Sequence, residues 1–186
     1  GNHEGEMTME QVYETVVKKE KEKEKDFVMP KSFVSIFSTD KCTDYLKKNH
    51  SIESYIKGKA EMKYDVKQHR AVFIIKEKEK VKGAIGRGLN SEVYPKWFMY
   101  GSKTYPFICG NSDTGVAFLG TSLPDSYIPV LKKKFKKVIV ALDRDATTKA
   151  FDISNQLRYY MDTEVKILED DLKYFDKTQI ERLFNE

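Results

Sequence analysis

Cysteine is scarce: Cys42 and Cys109 are the only two in 186 residues, far apart and neither in a C-x-x-C pair. That spacing encodes no zinc site and reads as two reduced, partly buried thiols. Histidine is nearly as rare. His3, His50 and His69 stand clear of any candidate nucleophile, so no acid–base triad is supported, and His69 in a polar turn reads as solvated. No apolar run reaches the roughly 18 residues of a membrane span, and no secretory signal heads the chain. The expectation is therefore a soluble, intracellular protein with no membrane partner. Glycine-rich phosphate loops are missing too: Gly83, Gly86 and Gly88 have neither the spacing nor the strand-to-helix context of G-x-G-x-x-G. The net charge is only +4, so the placement of charge matters more than its sum.

What the chain does have is apolar patterning. With 11 Phe and 11 Tyr it can bury a sizeable core, as one large or two small domains. Thr8-Met9-Glu10-Gln11 fits a capping box, and Met9, Val12, Tyr13, Val16 and Val17 lie on one helical face. The alternating tract from Lys18 to Lys25 has nothing to bury and reads as a linker or frayed helix. Cys42, Tyr45 and Leu46 mark a short helix, and Ile52, Tyr55 and Ile56 another. Met62–Val66 and Arg70–Lys76 flank a Lys67-Gln68-His69 turn, which predicts a hairpin, and Lys80–Arg87 adds a third antiparallel strand. Lys76, Lys78, Lys80, Lys82 and Arg87 run along or beside these strands, and Lys132, Lys133, Lys134, Lys136 and Lys137 cluster farther on. Each cluster is either a solvated face or part of a surface for phosphates.

The most telling stretch runs from Lys137 to Asp145. Val138 to Leu142 is a near-continuous apolar run, as in a strand buried on both faces of a parallel sheet. It ends in Asp143-Arg144-Asp145, two hard oxygen donors at a strand exit, where ligands of open α/β sheets bind. Such a pair suits Mg²⁺ (or Mn²⁺), which takes few carboxylates and keeps several waters. Gly115–Leu119 predicts an earlier strand closed by Gly120-Thr121-Ser122. Thr121 or Ser122 would cap a helix from about Pro124 to Phe135. A second unit follows, with a helix over 145–160 and a strand at Glu164–Leu168. Glu169, Asp170 and Asp171 come next; they offer either an outer carboxylate or caps for a last helix, Thr178–Phe184.

These pieces resemble bacterial and phage-type DNA primases. Gly115–Leu157, with its Leu119-Gly120-Thr121-Ser122-Leu123 turn and Asp143-Arg144-Asp145, is similar to the Toprim (topoisomerase–primase) domain. Val81–Leu89, Pro95–Gly101 and Tyr45–Ile52 resemble segments of the basic subdomain that precedes it, and the order holds over residues 28–184. The resemblance implies an N-terminal helix and charged linker (1–26), a basic α+β subdomain (27–105) and a Toprim-like, Rossmann-like α/β parallel-sheet domain (106–186). It implies a catalytic-core fragment that makes RNA primers on single-stranded DNA from ribonucleoside triphosphates, in a bacterial cytoplasm or a phage-infected cell, with a replicative helicase as a further partner. By resemblance, Asp143 and Asp145 would be catalytic metal ligands, while Arg87 and Lys96 would contact nucleotide or template. On their residues alone, Arg87 is equally an exposed strand-end arginine and Lys96 an ordinary loop lysine. Trp97 and Tyr100 are either base-stacking or core residues.

Two departures stand out. The family's zinc ribbon is absent, which implies a fragment with Gly1 as a cloning remnant. The family's Toprim domain also opens with a strand ending in a catalytic Glu, then a helix. Here Phe107–Cys109 is separated from Gly115 by too few residues for a parallel crossover. It is therefore not that strand, and the Glu has no counterpart: a βα segment was removed or lies outside the sequence given, or the domain is naturally degenerate. The chain as written should bind Mg²⁺ weakly and make little primer. The alternatives are a non-catalytic module that binds single-stranded DNA or a replication partner, and a Toprim nuclease.

Overall fold

The computed structural model describes residues 8–11, 13–14, 26–101, 107–109, 115–117 and 122–185. The 18–25 charge tract, Val12, Val16, Val17, Thr121 and the 110–114 connection lie outside them. The capping box forms as expected: Thr8 N donates to Gln11 Oε1 at 3.0 Å and Gln11 N to Thr8 Oγ1 at 3.2 Å.

The first large unit is a five-stranded antiparallel sheet in chain order: β1 (Phe33–Val34), β2 (Met62–Asp65), β3 (Arg70–Glu77), β4 (Lys80–Gly88) and β5 (Trp97–Gly101). The expected three strands are β2 to β4. The other two escaped the pattern because β1 is two residues long and β5 (Trp-Phe-Met-Tyr-Gly) shows no polar–apolar alternation. Between β1 and β2 run α1 (Asp40–Lys48) and α2 (Ile52–Ile56), both at the expected places.

Period-two geometry gives the sheet two apolar faces. Ile36, Cys42, Leu46 and Ile52 close over Met62, Tyr64 and Ala71 on one face. Phe33, Val72, Ile74, Ala84 and Tyr100 form the core of the other. Burial pushes the Cys42 thiol up to about 11, so it is an inert core group. The glycines of β4 serve packing. A Cβ on Gly86 would lie 2.8 Å from the Tyr100 ring and 3.0 Å from Arg70 Cδ, so a side chain there would displace both.

The hairpin turn is held by Asp65, whose Oδ1 accepts from the backbone N–H of Lys67 at 3.0 Å and Gln68 at 3.3 Å. His69 is exposed as expected, but its Nδ1 shares a 3.0 Å hydrogen bond with the Tyr64 hydroxyl.

The second unit is smaller than a full doubly wound sheet. Strands β8 (Lys137–Asp143) and β9 (Asp162–Leu168) pair in parallel, with Asp143 opposite Leu168. α3 (Tyr127–Lys134) precedes β8 and α4 (Thr147–Arg158) makes the crossover. Their core joins Leu123, Tyr127, Leu131, Val140, Ala150, Ile153 and Leu157. Of the β8 residues only Val140 is fully buried, so the expected strand buried on both faces is not found among the described residues.

The expected first βαβ unit also differs. β7 (Gly115–Ala117) pairs antiparallel with β6 (Phe107–Cys109) and not with β8. The connection between them is long enough for a hairpin but too short for a crossover, which agrees with excluding Phe107–Cys109 as a parallel neighbour. The last helix, α5 (Lys177–Asn185), starts with a capping box that sequence reading missed: Asp176 and Gln179 exchange two 2.8 Å hydrogen bonds.

Candidate functional site

Asp143 is the last residue of β8, and Asp145 lies in the 3₁₀ turn Arg144–Ala146 that leads into α4. Both sit at the carboxyl ends of the parallel strands, on the strand-to-helix turn the sequence predicted. Asp145 is past the strand, however, so alternation along a strand does not orient it relative to Asp143. Both are exposed, and neither carboxylate has a hydrogen bond or ion pair among the described residues.

Their neighbours are engaged elsewhere. Arg144 Nη2 meets Glu169 Oε1 at 2.8 Å, a bridge between the two strand exits. Asp171 Oδ1 accepts from Lys173 N at 3.2 Å, capping the turn Leu172–Tyr174, and its other oxygen lies 3.2 Å from Lys173 Nζ. Asp171 thus caps the short turn that follows it, and the last helix takes its cap from Asp176 and not, as expected, from the acidic run after β9. No cluster of three His, Cys, Asp or Glu side chains fit for a metal occurs among the described residues. Two exposed carboxylates fit an ion that keeps most of its water, as Mg²⁺ does.

Arg87 lies near the end of β4, opposite Ala71 on β3 and Trp97 on β5. Its guanidinium is held lightly on several sides. Nη1 donates to the Lys96 carbonyl at a long 3.4 Å, and Cζ lies 5.6 Å from the centre of the Trp97 ring. The Tyr45 hydroxyl of α1 lies near enough to Arg87 to feel its charge. Burial raises the pKa of that hydroxyl; the nearby Arg87 pulls it back down, and Lys173 and Asp171 reach it more weakly. The Lys96 side chain is exposed beside Arg87. Sequence reading placed Tyr45 in a core helix and missed this contact; only its position on the helix resembling a primase segment pointed toward it.

The lysines sort differently from a continuous basic face. Lys76 pairs with Glu61, Lys80 with Asp26, and Lys82 with Glu77 at 3.7 Å. Lys132, Lys133 and Lys134 occupy the last turn of α3, where cations favour the helix dipole, and Lys137 pairs with Glu164 at 2.7 Å. Arg87 and Lys96 have no carboxylate partner among the described residues.

Trp97 is 47% exposed, whereas Tyr100 is buried and donates to Asp65 Oδ2 at 2.5 Å. Of the two residues open to either reading, Tyr100 is core and Trp97 is a surface residue.

No family model matches the chain, and no curated protein matches it. Among solved structures, it is similar to the Aquifex aeolicus primase zinc-binding and RNA polymerase domains, with 20% identity and a TM-score of 0.55 over 82% of this chain and 50% of that one. It is also similar to the E. coli primase catalytic core, with 18% identity and a TM-score of 0.51 over 75% of this chain and 62% of that one. The chain thus spans one half to three fifths of the solved chains it matches. No described helix is long and apolar enough to cross a membrane. The fold is that of a primase-like core: an antiparallel sheet followed by a small parallel one.

Proposed function

We propose that this chain is part of a DNA primase catalytic core, joining ribonucleotides on single-stranded DNA by metal-dependent nucleotidyl transfer. The observation that carries the reading is the pair of exposed, unpartnered carboxylates, Asp143 and Asp145, at the exits of the parallel strands of a primase-like fold. Mg²⁺ or Mn²⁺, when bound, neutralises charge on the phosphates of the incoming nucleotide. Asp143 and Asp145 hold it. Arg87, a rigid fork with no acidic partner among the described residues, grips triphosphate or template phosphate, and Lys96 adds a mobile point charge beside it. Ribonucleoside triphosphates and a single-stranded template are the substrates, and a replicative helicase is a further partner.

The family glutamate has no counterpart in this sequence, so synthesis is expected to be weak. The test is template-dependent primer synthesis by the purified chain with Mg²⁺ and with Mn²⁺. Incorporation that needs template, metal and Asp143 supports the reading; metal-dependent cutting of DNA without incorporation sinks it. The missing glutamate also favours a second reading, a module that binds single-stranded DNA without catalysis. Under it, salt-sensitive DNA binding survives Asp143→Ala and no primer forms.

A further inference from the structure

We infer that Trp97 is the stacking platform for a base of the single-stranded template, with Arg87 and Lys96 on the flanking phosphates; this rests on the primase reading and deepens it. Cross-strand register places Trp97, Arg87, Ala71 and Tyr64 in one row on one face of the antiparallel sheet. α1 packs over the Ala71 and Tyr64 end of that row. At the β4–β5 end the face is open: Ile85 and Met99 are half-buried and Trp97 is 47% exposed. The indole lies on an edge strand with one side open to solvent and is backed by Phe73, ring centres 6.3 Å apart, so it is held in place while a face stays accessible.

Charge identifies the occupant. Three strand lysines away from Trp97, Lys76, Lys80 and Lys82, are paired with Glu61, Asp26 and Glu77, while Arg87 and Lys96 beside it meet no carboxylate among the described residues. The Arg87 hydrogen bond of 3.4 Å and its ring distance of 5.6 Å are both near the outer limit for such contacts. The guanidinium can turn to a phosphate without giving up a strong partner. Aromatic face and free cations together are the chemistry of a single-strand track.

Trp97 is the only tryptophan in the chain, so the intrinsic fluorescence of the unmodified protein reports on this one surface. The experiment titrates the protein with oligothymidylate and with an abasic oligonucleotide of equal length, in EDTA so that no metal site is involved. The expected result is quenching by oligothymidylate, little quenching by the abasic strand, and roughly tenfold weaker binding of the latter. Anisotropy of a labelled oligothymidylate should show a comparable loss for Trp97→Ala, with much of the affinity kept by Trp97→Phe. Rising salt should weaken both strands while preserving their ratio. Equal binding of the two strands, wild-type affinity in Trp97→Ala, or quenching by ATP without quenching by oligothymidylate overturns the inference. A protein that makes no primer but still shows base-dependent quenching overturns the proposed function and leaves the platform standing.

Discussion

Two groups of aspartate and arginine side chains receive opposite treatment from the fold. In the antiparallel sheet, Asp65 and Arg70 are 1% and 2% exposed. Asp65 takes two backbone N–H groups and the Tyr100 hydroxyl. Arg70 donates to the Pro95 carbonyl at 2.7 Å and to Gln68 at 3.2 Å, with Cζ 5.4 Å from the centre of the Phe98 ring. By contrast, Asp143 and Asp145 are exposed and bare, and Arg87 is held by long contacts only. Buried charge survives only when its bonding is complete. The first set therefore serves architecture, and its removal should register as lost stability. The second is kept available and should register as lost binding or catalysis, with the fold intact.

The sharpest break in that contrast comes from Asp143→Ala. It should lower any primer synthesis by on the order of a hundredfold or more, from the lost metal hold, while urea unfolding stays as in wild type. A stability loss instead would place Asp143 with Asp65. Next, Arg70→Ala should destabilise by about 3 kcal/mol, since it empties a packed site and orphans the Pro95 carbonyl; chemical denaturation reads this directly.

Tyr100→Phe should cost about 1–3 kcal/mol by removing one donor from buried Asp65. It also carries a pH signature. Burial, and then the bond to Asp65, hold the Tyr100 hydroxyl well above its ordinary 10.0. Cys42 rises from 9.0 to about 11. Groups raised on folding stabilise fully below their unfolded values and lose that contribution as pH climbs. Unfolding free energy should therefore fall from about pH 9 upward, and Tyr100→Phe should flatten the part above pH 10. Arg87→Lys should weaken oligonucleotide or nucleotide binding roughly three- to tenfold through the lost fork, without a stability change. Glu164→Ala, breaking a half-exposed surface pair with Lys137, should leave the thermal midpoint nearly where it is.

Legibility in the sequence followed periodicity. The hairpin at Met62–Lys76, the third strand, both short helices and the β8–α4–β9 unit were readable because alternation or helical spacing ran long enough to register. The all-apolar β5 and the two-residue β1 carry no period, so the sheet came out two strands short. At the site, the positions of Asp143, Asp145, Arg87 and Lys96 were legible from strand ends and resemblance. Their partners were not. That Arg144 bridges to Glu169, that Tyr45 meets Arg87, and that three strand lysines are neutralised all depend on side chains distant in the chain. The Trp97 and Tyr100 alternatives were separated only by register, since neighbours two apart on a strand share a face whereas residues three apart do not.

The Lys96 carbonyl receives both the Gly88 amide, at 3.0 Å, and the Arg87 guanidinium. Position 96 thus plays two roles that can drift independently. Its side chain is free to vary and to retune how strongly an anion is drawn in. Its main-chain oxygen, which every amino acid possesses, keeps the Gly88 amide, and with it the end of the strand that carries Arg87, in place through any such change.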